Sequence, residues 1–452
     1  MIARESQIST KIPWLGKMPI HWEIMRAKYM FRKESRAVSD SDEVVTCFRD
    51  GIVTLRKNRR TTGFTESIQE FGYQAIRKGD LVIHVMDAFA GAVGVSDSDG
   101  KGTPVYNVCT AKGDFNNYYY AHVIREMAKT GFIQSLYRGI RQRSSDFRFE
   151  IFAAQYLPVP PRSEQDQIVR YLDWQVSRTN KLISALKKQI ALLKEQKQVI
   201  INEAVTRGLD PSVPKKDSGV EWIGEIPSHW ALIRNKNILK EKNGTVGDFS
   251  GDFTLLSLTT RGVIVRDTSE AKGKFPSDFG TYKIVESGNI IFCLFDIDET
   301  PRTVGLSSMD GMITGAYDVF QIEGINSDYL TYYYLSIDDK KALKPLYKGL
   351  RKVINPSSFL RVYSPFPPIE EQEKIVLYLK KQCKKTDTLI ENINREITLL
   401  VEYRTRLISD VVTGQIDVRD AAVPEFEFVS DETSDTSDDE EIDTEEPEGE
   451  EA

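Results

Sequence analysis

The sequence has no apolar run long enough to cross a bilayer, and it contains few cysteines. No stretch approaches the ~18 apolar residues that a membrane helix needs, and the N-terminus lacks a hydrophobic signal core. The four cysteines, Cys47, Cys109, Cys293 and Cys383, are too widely separated for CxxC pairs or a disulfide framework. These absences argue against a membrane protein and a disulfide-stabilised secreted domain, and they favour a cytoplasmic location.

Motifs for catalysis and cofactor binding are also missing. No G-x-G-x-x-G sequence follows a predicted strand, so a Rossmann cofactor site is not expected. The segment from Gly94 to Gly102 has glycines and a lysine, but its spacing is wrong for a phosphate-binding loop. The four histidines, at positions 21, 84, 122 and 229, lack metal-ligand spacing. We therefore predict a chain without catalytic residues, metal ions or cofactors.

Acidic residues are concentrated near one end of the chain. Between Glu425 and Glu451 the sequence has 15 acidic residues and no lysine or arginine. The whole chain carries a net charge of -7, whereas residues 1–424 have 60 basic and 52 acidic side chains and therefore carry +8. A basic body favours a nucleic-acid partner, although ordinary scatter of surface charge is the alternative. The acidic, low-complexity end is predicted to be disordered.

What the sequence does contain is a repeat with a period near 208 residues. The segment from Trp14 to Trp22 (WLGKMPIHW) returns from Trp222 to Trp230 (WIGEIPSHW), and Tyr156 to Pro161 returns as Tyr363 to Pro368. Solenoid repeats are shorter, at roughly 20–50 residues. The period instead fits one domain plus one long helix. Two equivalent halves predict a pseudo-symmetric protein whose partner itself has two parts.

Each Pro-Pro pair precedes a segment with the heptad pattern of a coiled coil. The first seam is Leu172, Val176, Thr179, Ile183, Leu186, Ile190, Leu193, Lys197, Ile200 and Ala204. The second seam, at an offset of 207, is Leu379, Cys383, Thr386, Ile390, Ile393, Ile397, Leu400, Arg404, Leu407 and Val411. We predict two long helices, at 163–207 and about 370–413, that pack on each other as an intramolecular coiled coil. A pair of ordinary core helices is the alternative.

The blocks between the helices contain short apolar runs bounded by turn residues, together with one aromatic-rich helical segment each. This pattern predicts an α+β protein with two pseudo-symmetric mixed domains, each with a curled or barrel-like sheet. The predicted divisions are a first domain at 1–162, a first long helix at 163–209, a connector at 210–219, a second domain at 220–369, a second long helix at 370–416 and an acidic disordered tail at 417–452.

Basic residues cluster with polar and turn residues in both domains, and such side chains can neutralise phosphates or read base edges. The candidate DNA-binding residues of the first domain are Arg56, Lys57, Arg59, Arg60, Arg138, Arg141 and Arg143. Those of the second domain are Arg261, Arg266, Lys348, Arg351 and Lys352. The pattern Tyr-basic-Gly-aliphatic-Arg occurs in both domains at an offset of 210. A solvated face or a shared turn of the fold would also explain these clusters.

The residues after each Pro-Pro pair resemble a known family. Gln165-Asp166-Gln167-Ile168-Val169 and Glu371-Gln372-Glu373-Lys374-Ile375-Val376 each open a long helix, as in the specificity subunit of Type I restriction-modification systems. The Gly139–Arg141 and Gly349–Arg351 segments and the two Trp-rich domain starts fit the same family, and the resemblance covers residues 10–418. The acidic tail departs from the pattern.

This resemblance implies two target-recognition domains and an antiparallel helix pair. It also implies several partners: double-stranded DNA with a bipartite site, methyltransferase subunits (two expected) that modify adenine, and restriction subunits that translocate and cut. The chain itself would be a non-catalytic DNA-binding subunit. The alternative function is a coiled-coil adaptor whose basic domains bind protein rather than DNA. A fused methyltransferase or nuclease would require activity from the purified chain alone, which we do not expect.

Overall fold

The computed structural model describes residues 2–3, 7–59, 71–136, 146–220, 222–266, 279–347 and 352–429. These residues form two compact units. Unit 1 contains the described residues of 1–185 and 395–429, and unit 2 contains those of 186–394. Each unit holds one globular domain and part of each long helix. Within the described ranges, no helix combines the length and apolarity of a bilayer span.

Two helices are much longer than the others. In chain order the helices are α1 (Ala27–Met30), α2 (Asn117–Lys129), α3 (Phe132–Ser135), α4 (Phe149–Ala154), α5 (Arg162–Arg207), α6 (Ser327–Asp339), α7 (Pro356–Phe359) and α8 (Ile369–Val412). Helices α5 and α8 follow the two Pro-Pro pairs, because proline cannot continue a helix upstream. Each ends just before a glycine with positive φ, Gly208 or Gly414.

The basic residue within each predicted seam binds a polar residue of the other long helix. In unit 1, Arg404 Nη1 of α8 donates to Asn180 Oδ1 of α5 at 2.5 Å. In unit 2, Lys197 Nζ of α5 donates to Asp387 Oδ1 of α8 at 2.6 Å. In both units, the later part of one helix therefore lies beside the earlier part of the other, as an antiparallel pair requires. Such polar pairs within an apolar seam favour one register over its alternatives.

The strands are short and antiparallel. In the first half they are β1 (Ile2–Ala3), β2 (Gln7–Ser9), β3 (Lys17–Pro19), β4 (Glu23–Arg26), β5 (Phe31–Lys33), β6 (Val45–Cys47), β7 (Val53–Leu55), β8 (Gln74–Ile76), β9 (Leu81–His84), β10 (Val93–Val95), β11 (Gly100–Gly102), β12 (Tyr106–Ala111) and β13 (Tyr156–Val159). The others are β14 (Lys215–Asp217), β15 (Glu225–Pro227), β16 (Ala231–Arg234), β17 (Leu239–Lys242), β18 (Leu256–Thr259), β19 (Gly262–Val265), β20 (Lys283–Val285), β21 (Ile290–Phe292), β22 (Val304–Leu306), β23 (Gly311–Ile313), β24 (Asp318–Ile322), β25 (Tyr363–Phe366) and β26 (Ile416–Asp417).

The strand pairing repeats between the two domains. Each has one four-stranded sheet, with the order β10-β9-β12-β5 in the first and β22-β21-β24-β17 in the second. Two-stranded pairs recur as well: β4 with β13 and β16 with β25, β6 with β7 and β18 with β19, β8 with β11 and β20 with β23. The aromatic helices α2 and α6 supply buried tyrosines to the two main cores. The fold is thus a duplicated α+β domain combined with two long helices.

One glutamine in the first turn of each long helix fastens that helix to its domain. Gln165 Nε2 donates to the Pro160 carbonyl at 2.8 Å, and Gln165 Oε1 accepts from the Asn116 amide at 2.9 Å. Gln372 makes the same bonds to Pro367, at 2.8 Å, and to the amide of Asn326, at 3.0 Å. Asn116 and Asn326 are the N-caps of α2 and α6. The glutamine after Pro-Pro therefore joins a long helix to an aromatic helix in each unit.

The histidines of the repeated domain starts contact the same helix turns. His21 Nε2 lies 2.8 Å from Glu164 Oε2, and His229 Nε2 lies 2.7 Å from Glu371 Oε2. Trp230 Nε1 also donates to Glu371, at 3.1 Å. These histidines hold the entrance of each domain against a long helix.

Residues 417–429 differ from the predicted disordered tail. Asp417 belongs to β26, which pairs with β1, and Val418 is buried in the core of unit 1. The chain then lies along α5, where Ala421 and Val423 pack against the same core. These apolar residues precede the acidic run in the sequence. The predicted start of the disordered tail, residue 417, was therefore wrong, because residues 417–429 are packed in unit 1. Residues 430–452 lie outside the described part.

Asp173 of α5 is predicted to make unit 1 less stable as the pH rises. Burial raises the pKa of its carboxyl from 3.8 to about 6. The equivalent position of α8 holds a basic residue instead, Lys380, which pairs with Asp328 at 2.6 Å. Because the pKa is higher in the folded state, the penalty for ionising Asp173 is absent below pH ~4 and complete above pH ~6. The substitution Asp173→Asn should therefore raise the melting temperature at pH 7 but not at pH 4. A gain that is equal at both pH values, or shared by exposed Asp420→Asn, would contradict this.

Candidate nucleic-acid interface

The basic cluster of the first domain follows a β-hairpin. Strands β6 and β7 pair with Val45 opposite Leu55, and a 3-10 turn begins at Arg56 directly after β7. The Arg56 amide donates to the Val44 carbonyl at 2.8 Å. Its Nε donates to Thr46 Oγ1 at 3.3 Å. The hairpin thus places the guanidinium of Arg56 along its own edge.

The neighbouring basic side chains differ in their surroundings. Lys57 is 61% exposed and lies 2.5 Å from Glu43, another exposed residue. Arg59 is only 14% exposed, pairs with Asp50 at 2.7 Å and lies over the Phe48 ring at 4.5 Å. Lys57 can therefore reach a phosphate by exchanging one exposed partner. Arg59 is held inside the hairpin, where it stabilises the turn that carries Arg56 and Lys57.

The second domain has the equivalent hairpin, formed by β18 and β19. Arg261 lies exposed in its turn, and its amide donates to Thr259 Oγ1 at 3.2 Å. The adjacent Gly262 has φ +102°, a conformation that favours glycine. Arg266 follows β19 directly, and its amide donates to the Leu255 carbonyl at 2.9 Å. Arg266 is therefore the counterpart of Arg56, at an offset of 210 residues.

Lys352 lies in a charged cluster of the second domain. Its Nζ is 3.4 Å from Asp298 Oδ2, and it also pairs with Glu299. The Tyr347 hydroxyl donates to Asp298 Oδ1 at 2.9 Å. This bond, together with Lys344, lowers the pKa of Asp298 to about 2. The carboxylates offset the charge of Lys352, so a phosphate would have to compete with them.

The other six predicted DNA-binding residues lie outside the described residues. They are Arg60, Arg138, Arg141, Arg143, Lys348 and Arg351. The structure therefore places half of the predicted set, namely Arg56, Lys57, Arg59, Arg261, Arg266 and Lys352. Arg56 and Arg266 lie at equivalent positions after the two hairpins. Lys57, in the turn after β7, and Arg261, in the turn between β18 and β19, are exposed.

The cysteines are buried in apolar surroundings. All four are buried, and desolvation raises the pKa of Cys47, Cys109, Cys293 and Cys383. Their thiols are therefore poor nucleophiles at neutral pH. In the described ranges, no three His, Cys, Asp or Glu side chains are grouped as metal ligands.

Sequence reasoning missed two features of the interface region. It treated Arg56 and Arg266 as members of separate clusters, although both follow the second strand of the same hairpin. It also gave no role to Tyr119 and Tyr329, whose hydroxyls donate to the Val412 and Val205 carbonyls, each at 3.1 Å. These tyrosines attach each aromatic helix to the end of a long helix. The signal in both cases was the common offset of 210 residues.

The duplicated domains and the two long helices can be compared with known proteins. A family model described as the Type I restriction modification DNA specificity domain matches residues 278–399. The Type I restriction enzyme MjaVIII specificity subunit of Methanocaldococcus jannaschii is 25% identical over 292 residues, which are 60% of this chain and 64% of that protein. The putative type I restriction enzyme MjaX specificity subunit of the same organism is 21% identical, over 90% of this chain and 96% of that protein.

Solved structures share the fold along most of the chain. One, described as the structural basis of complex assembly and conformational transition of the type I R-M system, has a TM-score of 0.62 and 14% identity, and covers 88% of this chain and 99% of its own. The HsdS subunit from Thermoanaerobacter tengcongensis has a TM-score of 0.50 and 13% identity, with coverage of 88% and 98%.

The resemblance to Type I specificity subunits and the predicted fold class are therefore confirmed. Both relatives are named as specificity subunits.

Proposed function

We propose that this chain reads a bipartite DNA site for a Type I restriction-modification complex. Each domain contacts one half of the site, and the long helices bind methyltransferase subunits, two per chain. Restriction subunits join this complex, which works in the cytoplasm. The chain contributes recognition, and its partners contribute adenine methylation and DNA cleavage.

The observation that carries this proposal is the duplicated hairpin. Arg56 and Arg266 directly follow the second strand of equivalent hairpins, and each domain has an exposed basic residue nearby: Lys57 in the 3-10 turn after β7 and Arg261 in the turn between β18 and β19. Basic residues at equivalent positions of two similar domains would contact two similar stretches of phosphate backbone. A two-stranded ribbon can also enter the major groove of DNA. The net charge of +8 over residues 1–424 supports the same partner.

Footprinting of the assembled complex tests this proposal. The DNA should carry the site mapped from methylated adenines in the host genome, with and without this gene. We expect two protected stretches separated by an unprotected or weakly protected gap. One short continuous footprint would contradict reading by two domains. Absence of any footprint, with partner subunits still bound, would favour a protein-binding adaptor.

The exposed hairpin residues should contribute phosphate contacts. Lys57→Ala or Arg261→Ala should weaken binding of the assembled complex to specific and non-specific DNA alike. Each lost contact should reduce the slope of log affinity against log salt by about 0.9. Arg59→Ala is the structural control, because the loss of its Asp50 pair should destabilise the domain first. An unchanged salt slope in both exposed variants would argue against these contacts.

A further inference from the structure

An exposed arginine lies over an exposed tyrosine where the chain enters and leaves each domain. In the first domain, β4 pairs with β13 so that Arg26 stands opposite Tyr156. The guanidinium carbon of Arg26 lies 4.9 Å from the centre of the Tyr156 ring. A guanidinium that stacks on an aromatic ring in this way keeps the N–H groups at its edge available for an anion.

The second domain has the same pair at the same place. Strand β16 pairs with β25 so that Arg234 stands opposite Tyr363, and the guanidinium carbon lies 5.0 Å from the centre of the ring. Arg234 Nε also donates to the Tyr363 hydroxyl at 2.8 Å. The arginine and the tyrosine are exposed in both domains. The repeat therefore keeps an exposed arginine that is oriented by a tyrosine on the surface of each domain.

A lysine follows two residues after each of these arginines. Lys28 lies in α1, and Lys236 lies in the 3-10 turn that directly follows β16. Both lysines are exposed, and their offset of 208 residues is that of the two arginines. We call Arg26, Lys28 and Tyr156 the entrance patch of the first domain, and Arg234, Lys236 and Tyr363 the entrance patch of the second.

One more basic residue comes close to the backbone of each lysine. In the first domain, Lys112 Nζ donates to the Lys28 carbonyl at 2.7 Å. In the second domain, the Lys236 amide donates to the Leu360 carbonyl at 2.9 Å, and the next residue along the chain is the exposed Arg361. These two additional residues come from unrelated positions of the repeat. Positive charge is thus concentrated at the same place in both domains.

The charge of the entrance patches is not offset by carboxylates. Within the described part of the chain, no ion pair joins an acidic side chain to Arg26, Lys28, Arg234 or Lys236. Glu23 is on the same strand as Arg26, but it lies three residues away and therefore points to the other face of the strand. An anion can consequently bind these patches without displacing a carboxylate.

We propose that the two entrance patches bind phosphates of the DNA backbone, one patch for each half of the site. This inference rests on the proposed function, and it adds to each domain a second contact surface that is formed by other strands than the hairpin. Two half-sites of different sequence present different bases but the same phosphates. Side chains that bind phosphates can therefore be identical in the two domains, whereas side chains that read bases have to differ.

The patches and the hairpins fit this distinction. The entrance patches match residue for residue, with arginine, lysine and tyrosine in each. The hairpin turns do not match, since Arg49-Asp50-Gly51 joins β6 to β7, whereas Thr260-Arg261 joins β18 to β19. Arginine, lysine and tyrosine are also side chains that commonly donate to phosphate oxygens in complexes with DNA.

DNA binding by the assembled complex at several salt concentrations tests the proposal. The double variants Arg26→Ala/Lys28→Ala and Arg234→Ala/Lys236→Ala should each bind specific and non-specific DNA about tenfold more weakly, or worse, at about 0.1 M salt. Because two contacts are lost, the slope of log affinity against log salt should fall by about 1.8 in each variant. The methylated sequence should stay the same.

Lys17→Ala is the matched control. Lys17 is an exposed lysine of the first domain, but its counterpart at an offset of 208 is Glu225, so the repeat does not keep its charge. Its substitution should leave the salt slope unchanged. The variants Arg26→Lys and Arg234→Lys, which keep the charge, should retain most of the slope. An unchanged melting temperature would show that each variant is folded.

Several results would overturn the proposal. An unchanged salt slope in both double variants, while the unaltered complex binds DNA, would refute it and leave the proposed function intact. A change in the methylated sequence would assign the patches to base reading instead of the backbone. Loss of methyltransferase binding by a folded double variant would assign them to a protein interface. Failure of the unaltered complex to bind DNA would contradict the proposed function and this inference with it.

Discussion

Exchange of residues 220–368 for the equivalent domain of a relative should change one half of the methylated site and leave the other half intact. The physical reason is that the second domain enters and leaves its unit at one place. Strand β16 pairs with β25, with Ala231 opposite Phe366 and Arg234 opposite Tyr363. Each mismatched base pair costs about 1–3 kcal/mol of binding. Several changed bases should therefore reduce binding to the original site by orders of magnitude. Sequencing of methylated adenines measures the result.

The reciprocal exchange provides the control. Replacement of residues 1–162 should alter only the other half-site, because β4 and β13 pair at the entrance and exit of the first domain in the same way. Co-purification with the methyltransferase subunit would show that each hybrid folds. A folded hybrid that loses recognition of both half-sites at once would show that the domains do not read independently.

Gly414→Ala should be among the most destabilising single substitutions in unit 1. Gly414 ends α8 with φ +72°, and the Gln415 amide donates to the Asp410 carbonyl at 2.7 Å, as in a Schellman cap. A Cβ there would lie 2.5 Å from Pro19 Cδ and 2.8 Å from Trp22 Cη2. Backbone strain and crowding together should lower the free energy of unfolding by about 2–4 kcal/mol. Urea unfolding followed by tryptophan fluorescence measures the change.

Gly131→Ala is the matched control for that substitution. Gly131 also lies in unit 1 and has φ +74°, but a Cβ there would have no atom within 4 Å. Its substitution should therefore show the cost of backbone strain alone, about 1 kcal/mol. Equal losses for the two variants would mean that the contact of Gly414 with the domain entrance has little energetic weight.

The long helices were predictable because their signals are local. The heptad spacing, the preceding Pro-Pro and the following glycine all lie within or beside each helix. The predicted bounds of 163–207 and about 370–413 consequently differ from Arg162–Arg207 and Ile369–Val412 by only a residue. Strand pairing was harder to predict, because β12 pairs with β5 across more than 70 residues of sequence. Turn residues in the sequence indicate where a strand begins and ends, but they do not indicate which strand it pairs with.

The candidate interface could be predicted only in outline. By charge alone, Lys57 and Arg59 are equal candidates for DNA contacts, since they are two residues apart in one basic run. Their different roles depend on Asp50 and Phe48, which come near Arg59 only after the hairpin has formed. The packing of residues 418–429 along α5 was missed for a related reason. Its contacts with α5 join residues about 250 positions apart, and its side-chain partners are ordinary polar residues of a helix surface.

The pairing of β1 with β26 brings the first strand of the chain next to the segment that follows α8. After α5 the polypeptide continues to β14, which pairs with β15. After α8 it continues to β26, which pairs with β1, and the chain that follows β1 forms β2, which pairs with β3. In unit 1, hydrogen bonds between β1 and β26 thus connect two segments whose counterparts in unit 2 are joined by the polypeptide itself. We therefore expect the fold to depend little on the order in which the two domains follow each other in the sequence.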